Sequence, residues 1–116
     1  MTPAEILRAA REKIEMPENW CQRASAFSAR NTIVSVRSDE ACRWCASGAI
    51  ASLPEADGQG VTAAWGFLNE VALDFGYDGN AESLDPFVVL NDRANHPTVL
   101  RMFSRAIELA EQEESA

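Results

Sequence analysis

The sequence predicts a single mainly α domain of the α+β class, with four or five helices around one core and a short β-hairpin after helix 1. Three observations predict this fold class. Apolar residues recur at helical spacing in four stretches. Proline, glycine and capping residues stand where these stretches begin or end. One early stretch loses the helical period and is rich in strand-forming residues. A length of 116 residues suits one core, so we expect residues 1–116 to form one domain.

The first helix is predicted to begin at Pro3. Thr2 can cap the helix, Pro3 has no amide hydrogen to leave unpaired, and Glu5 stands where a capping box has its second member. Apolar residues at positions 6, 7, 10 and 14 share one face. Met16 and Pro17 predict the end of this helix.

The β-hairpin is predicted within residues 19–36, where strand-forming side chains flank a polar break at positions 28–31. A second helix is predicted from Ser38, with Asp39 and Glu40 in its first turn, where the helix dipole favours acidic residues. Its core face would carry Cys42 and Cys45, and Pro54 would end it.

A third helix is predicted with Thr62 as its cap and Gly76 at its end, and a broad apolar stripe lies between them. The short apolar run after Pro86 fits either a buried helix or an extended segment. A final helix is predicted from Asn95 or His96, with a broad apolar face. We expect a frayed tail from about residue 111.

The charge of the chain is unevenly distributed. The formal net charge is −8, yet residues 1–44 are nearly neutral, whereas residues 44–92 contain eight acidic residues and no Lys or Arg. This balance argues against direct binding to nucleic acid or to an anionic membrane. It favours a protein partner with a basic surface. We expect the interaction residues to be the eight acids together with one tryptophan: Glu55, Asp57, Glu70, Asp74, Asp78, Glu82, Asp85, Asp92 and Trp44.

The sequence has no apolar run long enough to cross a bilayer and no signal-peptide pattern, so we expect a cytoplasmic protein. An odd count of three cysteines is a poor basis for a disulfide framework. No catalytic or cofactor-binding signature is present, so we predict no cofactor and favour a non-enzymatic role.

Three short motifs resemble a family of small bacterial and phage domains of unknown function. These are Cys45-Ala46-Ser47-Gly48-Ala49, then Leu90-Asn91-Asp92, then the closing stretch that contains Arg105-Ala106-Ile107. The family has a Cys-x-x-Gly-Ala helix, an Asn-Asp turn and a closing Arg-Ala-Ile helix, and the segment Trp20-Cys21-Gln22 adds to the likeness. The resemblance implies a fold and a phage or mobile-element setting.

Two functional hypotheses for the cysteines compete with a simple role in core packing. Cys42 and Cys45 have the C-x-x-C spacing of redox and zinc sites, but on the predicted helix both lie on the apolar face, which favours a role in packing. Cys21, Cys42, Cys45 and His96 could together supply four zinc ligands, although their spacing matches no standard zinc module. His96 is the only histidine and could act as a base, but a capping or first-turn position in the last helix is the favoured interpretation.

Three further features have a favoured structural interpretation. Residues 78–82 resemble a calcium loop, but the glycine and the closing glutamate that an EF-hand requires are absent. Asn91 and Asp92 are expected to cap or turn the chain. Trp44 is expected either to pack under the hairpin or to stand exposed as an interface anchor.

The function predicted from the sequence is a non-enzymatic acidic protein-interaction module. One version is a phage or mobile-element inhibitor that mimics nucleic-acid charge on a host protein. The alternative is a thiol redox or zinc-binding protein that uses Cys42 and Cys45.

Overall fold

A computed structural model describes residues 1–79 and 84–116, and it confirms the predicted fold class. The described part contains five α-helices, a two-stranded antiparallel sheet and a 3-10 turn at Pro17–Asn19. The helices are α1 (Pro3–Lys13), α2 (Ala46–Ala51), α3 (Gly58–Asp74), α4 (Pro86–Arg93) and α5 (His96–Glu114), and the strands are β1 (Ala26–Ser28) and β2 (Ala41–Trp44). Among the helices described, none is both long and apolar enough to cross a bilayer.

The core lies where α1, α3 and α5 pack on one another, with α4 against α3 and α2 against α1. Its largest fully buried side chains come from all five helices and include Leu7, Ile50, Leu68, Phe87 and Phe103. The apolar face of each helix therefore points to one shared interior, as the helical spacing predicts.

Helix α1 begins at Pro3, as predicted. The Glu5 amide donates to the Thr2 hydroxyl at 3.2 Å, and the Thr2 amide donates to the Glu5 carboxylate at 2.7 Å, which completes the capping box. The hydrogen bonds with Thr2 lower the pKa of Glu5. The helix ends at Lys13, three residues before the predicted Met16.

The predicted second helix is wrong over residues 38–44. The Ser38 hydroxyl accepts a hydrogen bond from the Glu40 amide at 3.1 Å, which closes a tight turn. The chain then enters β2, which pairs with β1 and leaves a bulge opposite the step from Phe27 to Ser28. The hairpin partner of β1 is therefore β2, and the predicted second strand, within residues 32–36, contributes a single bridge from Ile33. Helix α2 begins only at Ala46.

The start of α3 also differs from the prediction. Asp57 is the cap, because its carboxylate accepts the Gly60 amide at 2.7 Å, whereas the Thr62 hydroxyl donates back to the Gly58 carbonyl at 2.8 Å. Gly76 follows the helix with φ +93, which confirms its predicted place at the end of α3.

The last two helices resolve the remaining alternatives. The run after Pro86 is helix α4. Asn95 caps α5 by accepting the Thr98 amide at 3.0 Å, as predicted. The tail expected to fray from residue 111 is instead helical through Glu114. Its carboxylates reach α1, because Glu111 pairs with Arg8 and Glu114 accepts the Ala4 amide at 3.2 Å.

Candidate functional site

An open groove runs along the outward face of α3. The residues of this face stand four apart along the helix, and all of them are exposed: Gly58, Thr62, Gly66, Glu70 and Asp74. The groove has a volume of about 500 Å³, and its lining residues are Gly58, Val61, Thr62, Trp65, Gly66, Asn69 and Asp85. We call this feature the α3 groove. Its size is within the range of ligand and peptide pockets.

The floor of the α3 groove is low because two of its residues have no side chain. A Cβ atom placed on Gly58 or on Gly66 would meet nothing within 4 Å. Glycine in the middle of a helix is unfavourable, and no close neighbour requires it at position 66. The open space above Gly66 would therefore admit side chains of another molecule.

The wall of the α3 groove is held in place by Asn69. Its amide nitrogen donates to the Asp85 carboxylate at 3.1 Å, and its carbonyl oxygen accepts the Phe87 amide at 3.1 Å. Trp65 packs edge-on against Phe87, with ring centroids 5.1 Å apart. Among the described residues, the buried Nε1 of Trp65 has no hydrogen-bond partner. The groove thus combines an aromatic surface with a fixed carboxylate.

The eight acidic residues predicted to form one interaction surface lie in several different parts of the fold. Glu70 and Asp74 are exposed on α3, and Asp85 lines the α3 groove. Asp57 caps the start of α3, and Glu55 is exposed in the preceding loop. Asp92 accepts the Arg23 amide at 2.8 Å and lines a different cavity. Asp78 is exposed beyond α3, and Glu82 is outside the described residues.

One basic residue of α5 lies near the end of α3. The Arg101 guanidinium lies 5.3 Å from the centroid of the Phe75 ring, at the end of α3. The ion pairs Arg11–Glu15 and Arg105–Glu108 use carboxylates from outside residues 44–92. The acidic stretch therefore keeps exposed carboxylates along the middle of α3.

Trp44 does not line the α3 groove. It lies half-buried in β2, and its indole nitrogen donates to the Val36 carbonyl at 3.0 Å. The Lys13 ammonium lies 4.4 Å from the ring centroid, and burial lowers the pKa of Lys13. Trp44 is thus a residue of the second strand itself, which neither expected position, under the hairpin or exposed as an anchor, describes.

The cysteines of the C-x-x-C pair have different surroundings, because the chain between them is a strand and not a helix. Cys42 is the extra residue of the bulge in β2, and its sulfur lies 3.7 Å from the Phe27 carbonyl oxygen. Cys45 caps α2, and its sulfur accepts the Gly48 amide at 3.3 Å. Within residues 1–79 and 84–116, no three His, Cys, Asp or Glu side chains are grouped so that they could hold a metal ion.

His96 is buried and bonded. Its Nε2 lies 2.7 Å from the Ile14 carbonyl oxygen, so Nε2 carries the ring proton and donates it. The Trp20 ring packs at 5.3 Å on the imidazole. Helix α5 is capped by Asn95, and His96 instead ties the start of α5 to the end of α1. The structure does not bring it together with the cysteines as a set of metal ligands.

Asn91 was expected to cap or turn the chain, and this prediction is wrong. It lies inside α4 and only 1% of it is exposed. Its carbonyl oxygen accepts the Trp20 indole N–H at 2.8 Å and the Ala46 amide at 3.0 Å, while its amide nitrogen donates to the Cys21 carbonyl at 3.2 Å. We call this contact the Asn91 junction. A buried polar side chain with this many partners can fix three chain segments to one another.

The Asn91 junction joins the segments that carry the family resemblance, namely Trp20-Cys21-Gln22, the stretch that begins at Cys45, and Asn91-Asp92. Gly48 belongs to the same region. A Cβ at Gly48 would lie 2.0 Å from the Ser25 carbonyl oxygen, so only glycine fits there. Residues 78–82, for which an ordinary solvated acidic loop is expected in place of a calcium site, lie largely outside the described residues.

A comparison of the chain with models of protein families gives a match. The model of DUF6197, described as a family of unknown function, matches residues 1–109. No curated protein matches the chain, and no solved structure matches it.

Proposed function

The chain belongs to the DUF6197 family, whose function is unknown, and from this premise we propose that it is a non-enzymatic protein-interaction module. In this proposal the α3 groove binds a basic helical segment of a partner protein. The observation that carries the proposal is the open groove above Gly66, which Asp85 lines, with Glu70 and Asp74 exposed further along the same face of α3.

The shape of the α3 groove suits a helix as its occupant. Side chains four apart form the ridges and grooves by which helices pack, and small side chains let two axes approach closely. The positions of Gly58, Thr62 and Gly66 form such a row of small residues. Leu73, of which 55% is exposed, adds an apolar contact near the end of α3. A helix with small or aliphatic residues in its centre would fit this row.

The charge of the α3 groove suits a basic occupant. Residues 44–92 contain no Lys or Arg, so the carboxylates on the outward face of α3 have no cation from their own stretch of chain. Complementary charge speeds association and selects the partner. Because these groups are exposed, their attraction is screened by salt, and we expect the affinity to fall as ionic strength rises.

A direct test uses a synthetic helical peptide with Lys or Arg every fourth residue and alanine and leucine between them. Binding is followed by fluorescence anisotropy at increasing salt. The double substitution Glu70→Gln with Asp74→Gln should weaken binding by about tenfold, since each exposed charge pair contributes up to about 1 kcal/mol.

The matched control is the double substitution Glu12→Gln with Glu18→Gln. It changes the net charge by the same amount, but these exposed carboxylates lie on α1 and in the 3-10 turn, away from the α3 groove. The control should bind the peptide almost as well as the unaltered chain. Equal losses in both double variants would mean that only net charge matters, and binding that is insensitive to salt would exclude the proposal.

The substitution Gly66→Leu tests the groove separately from its charge. The Cβ of the new side chain would meet nothing within 4 Å, and the rest of the side chain would occupy the α3 groove. It should block the peptide by more than about tenfold while the fold stays intact, because leucine favours a helix more than glycine does. Unchanged peptide affinity in this variant would place the binding surface elsewhere.

A finer version of the proposal concerns the class of partner. A host protein that binds nucleic acid has a basic surface of the kind that these carboxylates complement, and a phage or mobile-element inhibitor could occupy that surface. The unaltered chain and the two double variants can be used for affinity capture at low salt, with elution by increasing salt. Competition by duplex DNA for the captured protein would support mimicry of nucleic-acid charge, and absence of competition would oppose it.

A further inference from the structure

Cys21 and Cys45 each follow one member of a backbone bridge. Trp20 forms a parallel bridge with Trp44, and the Cys21 amide donates to the Trp44 carbonyl at 3.1 Å. Neighbouring extended chains lie about 4.8 Å apart. Continued by one residue to Cys21 and Cys45, this spacing falls in the range of a disulfide, whose Cα atoms are usually about 4.4–6.8 Å apart.

Two further contacts hold these segments together. The Asn91 side chain bridges the Cys21 carbonyl and the Ala46 amide, the first residue after Cys45. The turn at Ala24 and Ser25 touches both cysteines, because the Cys21 thiol donates to the Ala24 carbonyl at 3.4 Å and the Cys45 amide donates to the Ser25 carbonyl at 3.3 Å. The pair is therefore fixed by hydrogen bonds on both sides.

Both cysteines are buried, with 8% of Cys45 and 7% of Cys21 exposed. They differ in that Cys45 lines an open cavity of about 270 Å³ together with Arg23, Ser47 and Asp92, whereas Cys21 is not among its lining residues. This cavity gives a small reagent a route to Cys45. Cys42 lies apart from this cavity, in the bulge of β2.

We propose that Cys45 is a site of modification by low-molecular-weight disulfides and that Cys21 is its resolving thiol. The Cys45 thiolate, having lost its proton to solvent, attacks one sulfur of the small disulfide. A mixed disulfide forms, and one small thiol leaves. Cys21 then loses its proton and attacks the Cys45 sulfur, and the second small thiol leaves. Two cysteine thiols are oxidised to one disulfide, and one small disulfide is reduced to two thiols.

The environment of Cys21 slows the second step. Burial, with smaller contributions from Cys45, Asp92 and Cys42 and against the effect of Arg43, raises the pKa of Cys21 to about 12. Only the small thiolate fraction of Cys21 can then attack the mixed disulfide. The second step should be the slower one, and it should become faster as the pH rises.

The test incubates the folded chain with oxidised glutathione at about pH 8.5, close to the ordinary thiol pKa. Remaining thiols are then alkylated, and peptides are mapped by mass spectrometry. We expect the chain to lose the mass of two hydrogen atoms and to yield a peptide that joins Cys21 to Cys45, with Cys42 alkylated. A joined Cys42–Cys45 peptide, or glutathione on Cys42 alone, would overturn the proposal.

Variants and an unfolded control sharpen this test. In the Cys21→Ser variant the reaction should halt at the mixed disulfide, so that glutathione stays attached to Cys45. The substitution Cys42→Ser should leave the Cys21–Cys45 product unchanged. In concentrated urea the same reaction should favour the short Cys42–Cys45 loop, because loop closure disfavours the longer one. If the folded and unfolded chains gave the same pairing, the fold would have no role and the inference would fail. This comparison uses only the unaltered chain, so it does not depend on whether a variant folds.

Discussion

Replacement of Gly66 by alanine should stabilise the protein. Gly66 lies in the middle of the 17-residue helix α3, it is exposed, and a Cβ at this position meets nothing within 4 Å. Alanine is favoured over glycine in a helix interior by about 0.8–1.0 kcal/mol. With no new contact to offset this gain, the free energy of unfolding should rise by nearly that amount.

The expected gain is measurable by urea denaturation or by thermal melting. For a chain of this length, 1 kcal/mol corresponds to a shift of about 4 °C in Tm. The denaturant midpoint should rise with no change in the slope of the urea transition, because the surface exposed on unfolding hardly changes.

Gly76 provides a matched control for this experiment. A Cβ at Gly76 also meets nothing within 4 Å, but its backbone has φ +93, a conformation that side chains disfavour. Gly76→Ala should therefore destabilise the protein by about 1 kcal/mol, whereas Gly66→Ala stabilises it. If the two substitutions changed stability in the same direction, the reasoning from backbone conformation would be refuted. A Gly66→Ala variant of unchanged stability would indicate that α3 is not continuous at this point.

Three other outcomes are expected. Asn91→Ala should lower the free energy of unfolding by more than about 3 kcal/mol in urea, because the Trp20 indole, the Cys21 carbonyl and the Ala46 amide lose their partner. A loss below about 1 kcal/mol would contradict the role of the Asn91 junction. Gly48→Ala should lower Tm markedly, since its Cβ would lie 2.0 Å from the Ser25 carbonyl oxygen, and a stable variant would show that this approach is not rigid. The folded chain keeps the Cys21 proton up to about pH 12, whereas an unfolded thiol loses it near pH 9, so stability should fall as the pH rises between these values. Cys21→Ser should show a smaller fall, and an identical pH profile would contradict the raised pKa of Cys21.

Most of the helical architecture was accessible from the sequence. The starts of α1 and α5 were predicted because their caps are local: Thr2 with Glu5, and Asn95 before Pro97, act within one turn of chain. The sequence did not predict that residues 86–93 are helical, because a short apolar run fits a buried helix and an extended segment equally well.

The candidate site was only partly accessible. The absence of Lys and Arg from residues 44–92 pointed to an acidic face, and the exposed Glu70 and Asp74 fit that prediction. The glycine floor and the position of Asp85 beside Asn69 were not predicted, because they depend on how α4 packs against α3. The sequence signal that could have found the floor is the spacing of Gly58, Thr62 and Gly66, a row of small residues four apart.

What the sequence determined by itself is the local part of the structure: the helix caps, the apolar stripes and the uneven charge. Each of these depends on residues within a few positions of one another, where propensity and hydrogen bonding act without help from the rest of the chain. Only the tertiary structure decided that residues 41–44 are a strand, that Asn91 is buried at a junction, and that Cys21 lies beside Cys45. A helix from Ser38 would have satisfied its backbone N–H and C=O groups internally. In the structure, pairing with β1 and burial against α4 supply these hydrogen bonds. Partners so distant along the chain are not visible in any short window of sequence.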